Sequence, residues 1–154
     1  MPALITHHLF GEESIDRLPQ GVITSDEERI AFILGNQGPD PLFYSVACPW
    51  LRANHDLGNV MHDQLPARLI DAFKTGLPFL PDEERPIARA YALGFLCHYT
   101  LDSIMHPFIF SQQYALCDAG EPGLSRSDGH EVHAYIETEL DEMILFVKRG
   151  ETVE

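Results

Sequence analysis

The sequence predicts an all-α protein built around one apolar helix that carries polar residues. Apolar residues recur at helical spacing in five segments, no segment reads as a pair of strands, and residues that end helices separate the segments. The 154 residues, of which 45% are hydrophobic, fit one compact domain spanning 1–154. We expect about five to seven helices around this buried central helix and its polar residues.

Two helices are predicted in the N-terminal part of the chain. The first is expected from Pro2 to Leu18, where apolar residues follow a loose helical stripe before Pro19 ends it. The second is expected to begin at Ser25, which forms a capping box with Glu28, and to stop at Gly35. The loop GNQGPDPLFYS follows; its glycines and prolines predict a fixed path.

Three further helical segments are predicted after this loop. One is expected from Asn54 to Thr75, either continuous or as a pair of helices interrupted near Pro66. The next runs from the segment PDEERP to Pro107 and is apolar nearly all round, which is typical of a buried central helix. The last is expected from about Asp128 to Lys148, after a flexible loop.

The central helix carries polar residues that do not belong in an apolar core. His98, Asp102 and His106 stand at i, i+4 and i+8, so they share about 80° of arc on one face. Burying an ionised aspartate without a partner of opposite charge costs roughly several kcal/mol. Imidazole and carboxylate groups on one face are suitable zinc ligands. A His–Asp pair that satisfies itself in the core, without metal, is the competing interpretation.

The last helix repeats the pattern with His133 and Glu137 at i and i+4, beside apolar positions. Each metal ion needs about four ligands, and two helices supply only part of them. Further ligands are expected among polar residues outside these two helices. The candidates are Asp40, His62 or its neighbour His55, and one of the adjacent histidines His7 and His8.

The net charge of −14 disfavours binding to nucleic acids, because an acidic surface repels phosphate backbones. Three cysteines without paired spacing argue against a disulfide framework, and we see no signal peptide and no transmembrane run. We therefore expect a cytoplasmic protein. The sequence does not indicate an oligomeric state.

These residues resemble the zinc-dependent phospholipase C family, whose fold is shared with single-strand-specific zinc nucleases. The resemblance spans nearly the whole chain in the family's order. It rests on the segments THHLFG (6–11), FILGNQGPDPLFY (32–44), GNVMH (58–62), GFLCHYTLDSIMHP (94–107) and HAYIETELD (133–141).

The resemblance implies two or three zinc ions, although other divalent transition metals accept the same ligand types. One ion would be held by Asp40, His62, His98 and Asp102, and a second by His106, His133 and Glu137. Asp102 would also bridge to a third ion, together with His7 or, failing that, His8.

The activity that the resemblance implies is hydrolysis of a phosphate ester, either a lipid or a small molecule, by metal-activated water. Asp40 would orient the attacking water or accept its proton. Asn36 and Tyr44 lie in the same loop and are candidates for contact with the substrate. A non-catalytic or regulatory metal-binding protein on the same scaffold is the alternative function.

Overall fold

The computed structural model describes residues 4–47, 52–63 and 66–153, and the side chains of these residues except 44–47, 52, 55 and 63. The described part of the chain contains α-helices and short 3-10 helices, with no strand. This confirms the predicted all-α class. The α-helices are α1 (Leu4–Ile15), α2 (Asp26–Gly35), α3 (Arg52–Asp63), α4 (Pro66–Gly76), α5 (Arg85–Cys117) and α6 (Gly129–Arg149); the 3-10 helices span Asp40–Ala47, Leu77–Phe79 and Arg126–Asp128.

The start of α2 follows the predicted capping chemistry with one difference. The Ser25 hydroxyl accepts a hydrogen bond from the Glu28 backbone N–H at 3.1 Å. The Glu28 carboxylate does not return to Ser25; it accepts hydrogen bonds from the backbone N–H and hydroxyl of Thr24. Between them, these two side chains fix the point at which the chain enters α2.

Two predicted helix bounds are resolved or corrected by the structure. The segment that was expected as one helix or two is a pair, α3 and α4, on either side of residues 64 and 65. The expectation that the central helix ends at Pro107 is wrong, because α5 continues to Cys117 with the proline inside it. Ile109 and Cys117 are buried against Val132 and Ile136 of α6. This burial favours a continuous helix despite the backbone hydrogen bond that the proline removes.

Contacts divide the chain into two compact units: one runs from His7 to Thr100, and the other combines residues up to Thr6 with those from Leu101 onward. In the first unit Ala31 and Phe32 of α2 pack against Ala90 of α5. In the second, the cluster of Ile109, Cys117, Val132 and Ile136 joins α5 to α6. The predicted single domain remains a prediction.

Two glycines allow α2 and α5 to cross at very short range. A Cβ placed on Gly35 would lie 2.1 Å from the carbonyl oxygen of Tyr91, and one placed on Gly94 would lie 2.0 Å from that of Phe32. Both obstacles are backbone atoms, which cannot rotate away. Any side chain at either position would separate the two helices, and these helices carry or lead directly to Asp40 and His98.

The expectation of a fully buried central helix is only partly right. Phe95 and His98 are completely buried, whereas Leu96, Ile104 and Phe108 are 44%, 65% and 50% exposed. Although α5 is apolar nearly all round, part of its surface is therefore exposed to solvent. No helix in the described part of the chain has the length and apolar character needed to span a bilayer.

Candidate metal centre

Asp40 lies at the centre of a group of histidines in the His7–Thr100 unit. The chain leaves α2 at Gly35, turns through residues 36–39 and places Asp40 at the start of a 3-10 helix. Asp40 is 1% exposed. Its Oδ2 lies 3.9 Å from Nε2 of His7 and 3.9 Å from Nδ1 of His98, and its Oδ1 lies 3.3 Å from Nε2 of His62. The loop, α1, α3 and α5 thus each supply one side chain.

The spacing of these atoms fits a metal ion. His7, Asp40 and His98 each offer a ligand atom within 4.8 Å of the others. Two ligand atoms bound at about 2.1 Å to one tetrahedral ion lie about 3.4 Å apart, close to the 3.3–3.9 Å measured around Asp40. No donor among the described residues makes a hydrogen bond to the buried Oδ2 of Asp40. A cation is the natural partner for such an oxygen, since a buried carboxylate needs charge compensation.

Gly38 makes the close approach of His98 possible. Its φ is +60°, and a Cβ at this position would lie 2.3–2.5 Å from atoms of the His98 ring. Both the left-handed backbone and the lack of a side chain are needed here. The sequence predicts Gly38 only as a loop residue, although a glycine directly before Pro-Asp is a usable signal for a tight turn.

Hydrogen bonds to backbone carbonyl oxygens help to position the ring of His62 and the backbone of His7. Nδ1 of His62 lies 3.2 Å from the carbonyl oxygen of Gly58, one turn earlier in α3. With Nδ1 donating to that oxygen, Nε2 is left to face Asp40. The Asn36 side-chain amide donates to the carbonyl oxygen of His7. Asn36 is fully buried, so the structure gives it a contact that ties α1 to the Asp40 loop; its role in substrate contact stays a prediction.

A second group of ligand types lies in the other unit, between α5 and α6. His106, His133 and Glu137 offer ligand atoms within 4.8 Å of one another. Oε1 of Glu137 is 3.6 Å from Nε2 of His106 and 3.2 Å from Nε2 of His133. The side chains of His106 and His133 are 32% and 19% exposed. This group is therefore more open to solvent than the buried pair Asp40 and His98.

Gln113 orients His133 and was not recognised from the sequence. Its Oε1 lies 2.9 Å from Nδ1 of His133 and can accept a hydrogen bond from it, which orients the ring with Nε2 toward Glu137. A Cβ on Gly129 would lie 2.7 Å from the Gln113 amide nitrogen, so the glycine at the start of α6 leaves space for this side chain. Gln113 stands seven residues after His106 on α5, a helical spacing that could have suggested it.

Burial and the two histidines act in opposite directions on Glu137. Burial alone would raise the pKa of its carboxyl group, but hydrogen bonds from His106 and His133 and the charge of His133 lower the pKa to about 2. The contacts with the two rings therefore favour the ionised form of this carboxyl group. A divalent cation supplies the same kind of stabilisation.

Of the two alternatives that the sequence left open, the structure describes both side chains only for His7 and His8. His7 is 3% exposed and faces Asp40, whereas His8 is at the surface, where it lies 3.9 Å from Glu12. His62 contacts Asp40; the side chain of His55, the other candidate, lies outside the described residues. The side chain of Tyr44 also lies outside them. Asp102 is half-buried on α5, one turn after His98.

These groups, each built from histidine rings around a buried carboxylate, define the class of the protein as a helical metalloprotein candidate. The comparison with protein families is more specific. A family model described as zinc dependent phospholipase C matches residues 6–153, nearly the whole chain, so the protein belongs to this family. Comparisons with curated proteins and with solved structures give no match.

Proposed function

We propose that this protein is a zinc-dependent phosphoesterase that hydrolyses a lipid or small-molecule phosphate ester with an activated water molecule. The observation that carries the proposal is the set of histidine nitrogens at 3.3–3.9 Å around the buried carboxylate of Asp40. The membership of the chain in the zinc dependent phospholipase C family supports the same chemistry.

In this proposal His7, Asp40, His62 and His98 hold metal in one unit, and His106, His133 and Glu137 hold metal in the other. Asp102 is proposed as a further ligand, as the resemblance implies. Bound zinc would polarise a phosphoryl oxygen and lower the pKa of a coordinated water from 15.7 toward about 7.

The two oxygens of Asp40 suit two tasks. Oδ2 faces the buried rings of His7 and His98, while Oδ1 faces His62, whose side chain is 32% exposed. Oδ1 therefore lies on the side of Asp40 that has the more exposed histidine. We propose that Oδ2 serves as a ligand and that Oδ1 orients the attacking water or accepts its proton.

The experiment measures hydrolysis of bis-(p-nitrophenyl) phosphate and of a phospholipid panel by the zinc-loaded protein. Turnover is expected in wild type and lost after chelation, with recovery when zinc is restored. Asp40→Asn is expected to abolish turnover while part of the zinc remains bound. His7→Ala and His8→Ala form a matched pair: the buried histidine should be required and its exposed neighbour should not. Zinc binding without turnover on any ester would contradict the enzyme proposal.

A non-catalytic metal-binding role is the second candidate, and the burial of the first group favours it. His7, Asp40 and His98 are all at most 3% exposed, and structural metal sites are closed whereas catalytic sites keep an open position. In that case chelation lowers the melting temperature, while no ester is hydrolysed.

The cytoplasm is the compartment that we propose. The free thiols of Cys97 and Cys117 support it, because thiols persist in reducing compartments; Cys48 lies outside the described residues. From the net charge of −14 we expect no turnover of single-stranded DNA or RNA.

A further inference from the structure

Asp141 is a buried acid in α6 that contacts the beginning of α1. It lies one turn beyond Glu137 and is 9% exposed. Its Oδ2 accepts a hydrogen bond from the Ile5 backbone N–H at 2.9 Å. Its Oδ1 accepts two more, from the Thr6 backbone N–H at 2.8 Å and from the Thr6 hydroxyl at 2.6 Å. Both carboxylate oxygens thus accept hydrogen bonds from two consecutive residues, Ile5 and Thr6, which lie 136 and 135 positions away in the sequence.

This contact caps α1 from another helix. The first N–H groups of a helix have no partner within the helix, and an anion beside them is stabilising. The first turn of α1 contains no acidic residue of its own. Asp141 therefore caps α1 as Ser25 caps α2. Asp141 is remote in the sequence and accepts charge-assisted hydrogen bonds, whereas Ser25 precedes its helix directly and accepts a neutral one.

The residue that follows Thr6 is His7, so the capped turn is the turn that carries a candidate ligand. An imidazole nitrogen can lie about 6 Å from the axis of its helix, and a rotation of about 20° would then move it by about 2 Å. That displacement equals a whole zinc–nitrogen bond length of about 2.1 Å. A fixed rotation of α1 is therefore a condition for His7 to act as a ligand.

We infer that Asp141 is a positioning residue whose hydrogen bonds to Ile5 and Thr6 hold His7 in place for metal binding. The inference rests on the proposed function, since it presumes that His7 is a ligand. Asp141 is not itself proposed to bind metal, because both of its oxygens are already used by donors in α1.

Glu28 provides a matched control within the same chain. Its carboxylate is 5% exposed and accepts hydrogen bonds from the Thr24 backbone N–H at 3.1 Å and the Thr24 hydroxyl at 2.8 Å. The chemistry is the same as in the Asp141–Thr6 contact. No ligand candidate follows Thr24 in the next turn, so Glu28→Gln should reduce stability without a specific effect on metal binding.

The experiment measures zinc affinity by competition with a graded chelator, using the full chain. Asp141→Asn and Thr6→Val are expected to weaken zinc binding at the site that contains His7 by about 10–100-fold. This is the range found when groups that orient metal ligands are removed. Thr6→Ser keeps the hydroxyl and is expected to retain wild-type affinity. Glu28→Gln is expected to retain it as well.

A double-mutant cycle with His7→Ala tests the route of the effect. Because Asp141 is inferred to act through His7, Asp141→Asn should cause no further loss of zinc affinity in the His7→Ala background. Additive losses would overturn the inference, as would equal zinc affinities of Asp141→Asn and Glu28→Gln. If Asp141→Asn fails to fold, Thr6→Val replaces it in the same cycle, and the same comparison of zinc affinities tests the inference. Wild-type protein that binds no zinc would overturn both this inference and the proposed function.

Discussion

Replacing Gly38 with alanine tests whether the His98 ring packs directly on the turn before Asp40. Two costs combine at this position. An alanine at φ +60° costs about 1–2 kcal/mol, as for other L-residues in the left-handed region. The new Cβ would also lie 2.3–2.5 Å from three ring atoms of His98, and overpacking of this kind costs about 1–3 kcal/mol. We expect a total loss of about 2–5 kcal/mol in the free energy of unfolding.

Gly21→Ala separates the two costs. Gly21 also has a positive φ, +87°, but a Cβ there would meet no atom within 4 Å. This variant should lose only the backbone cost of about 1–2 kcal/mol. The difference between the two variants, about 1–3 kcal/mol, then measures the displacement of the His98 ring.

The assay is denaturant unfolding of both variants with chelator present, followed by zinc competition on the same proteins. Gly38→Ala should be the less stable variant without metal and should also bind zinc more weakly, because the displaced ring no longer faces Asp40. Equal stability losses in the two variants would refute the close approach. Unchanged zinc affinity in Gly38→Ala would refute the role of His98 as a ligand.

Two further predictions concern the group in α5 and α6. Gln113→Leu removes the acceptor for Nδ1 of His133 and should weaken zinc binding at this group by about 10–100-fold. Gln113→Glu keeps an acceptor and should bind zinc nearly as well as the wild-type protein. An equal loss in both variants would contradict the orienting role. In metal-free protein the pKa of Glu137 is lowered from 4.5 to about 2. Its contribution to stability is therefore present above about pH 4.5 and lost as the pH falls toward 2. Acid titration of Glu137→Gln should lack this part of the stability loss, and identical titrations would contradict the pKa assignment.

Most of the helices could be predicted because their signals are local. Ser25 as the cap of α2 and Gly35 as its end depend on residues within one turn of the helix, and the structure agrees with both. The extension of α5 past Pro107 could not be predicted in this way. It depends on the burial of Ile109 and Cys117 against α6, which is remote in the sequence.

The residues of the candidate site were predictable in type but not in grouping. Helical spacing marked His98 and His106 on α5 and paired His133 with Glu137 on α6. It could not show that His7 lies beside Asp40 and His98, because that depends on how α1, α5 and the Asp40 loop pack. It also missed Gly38 and Gln113, whose roles appear only when their distances to His98 and His133 are known.

The sequence by itself determined the all-α class, the family and the histidine and carboxylate types available for a metal, since these follow from periodicity, composition and the order of short motifs. Only the tertiary structure decided that His7 rather than His8 faces Asp40, that Asn36 is buried against α1, and that Asp141 caps the helix carrying His7. The physical reason is that a side chain's place on its own helix is set by local geometry. Its distance from groups elsewhere in the fold is set by packing between residues that are 29 to 136 positions apart in the chain.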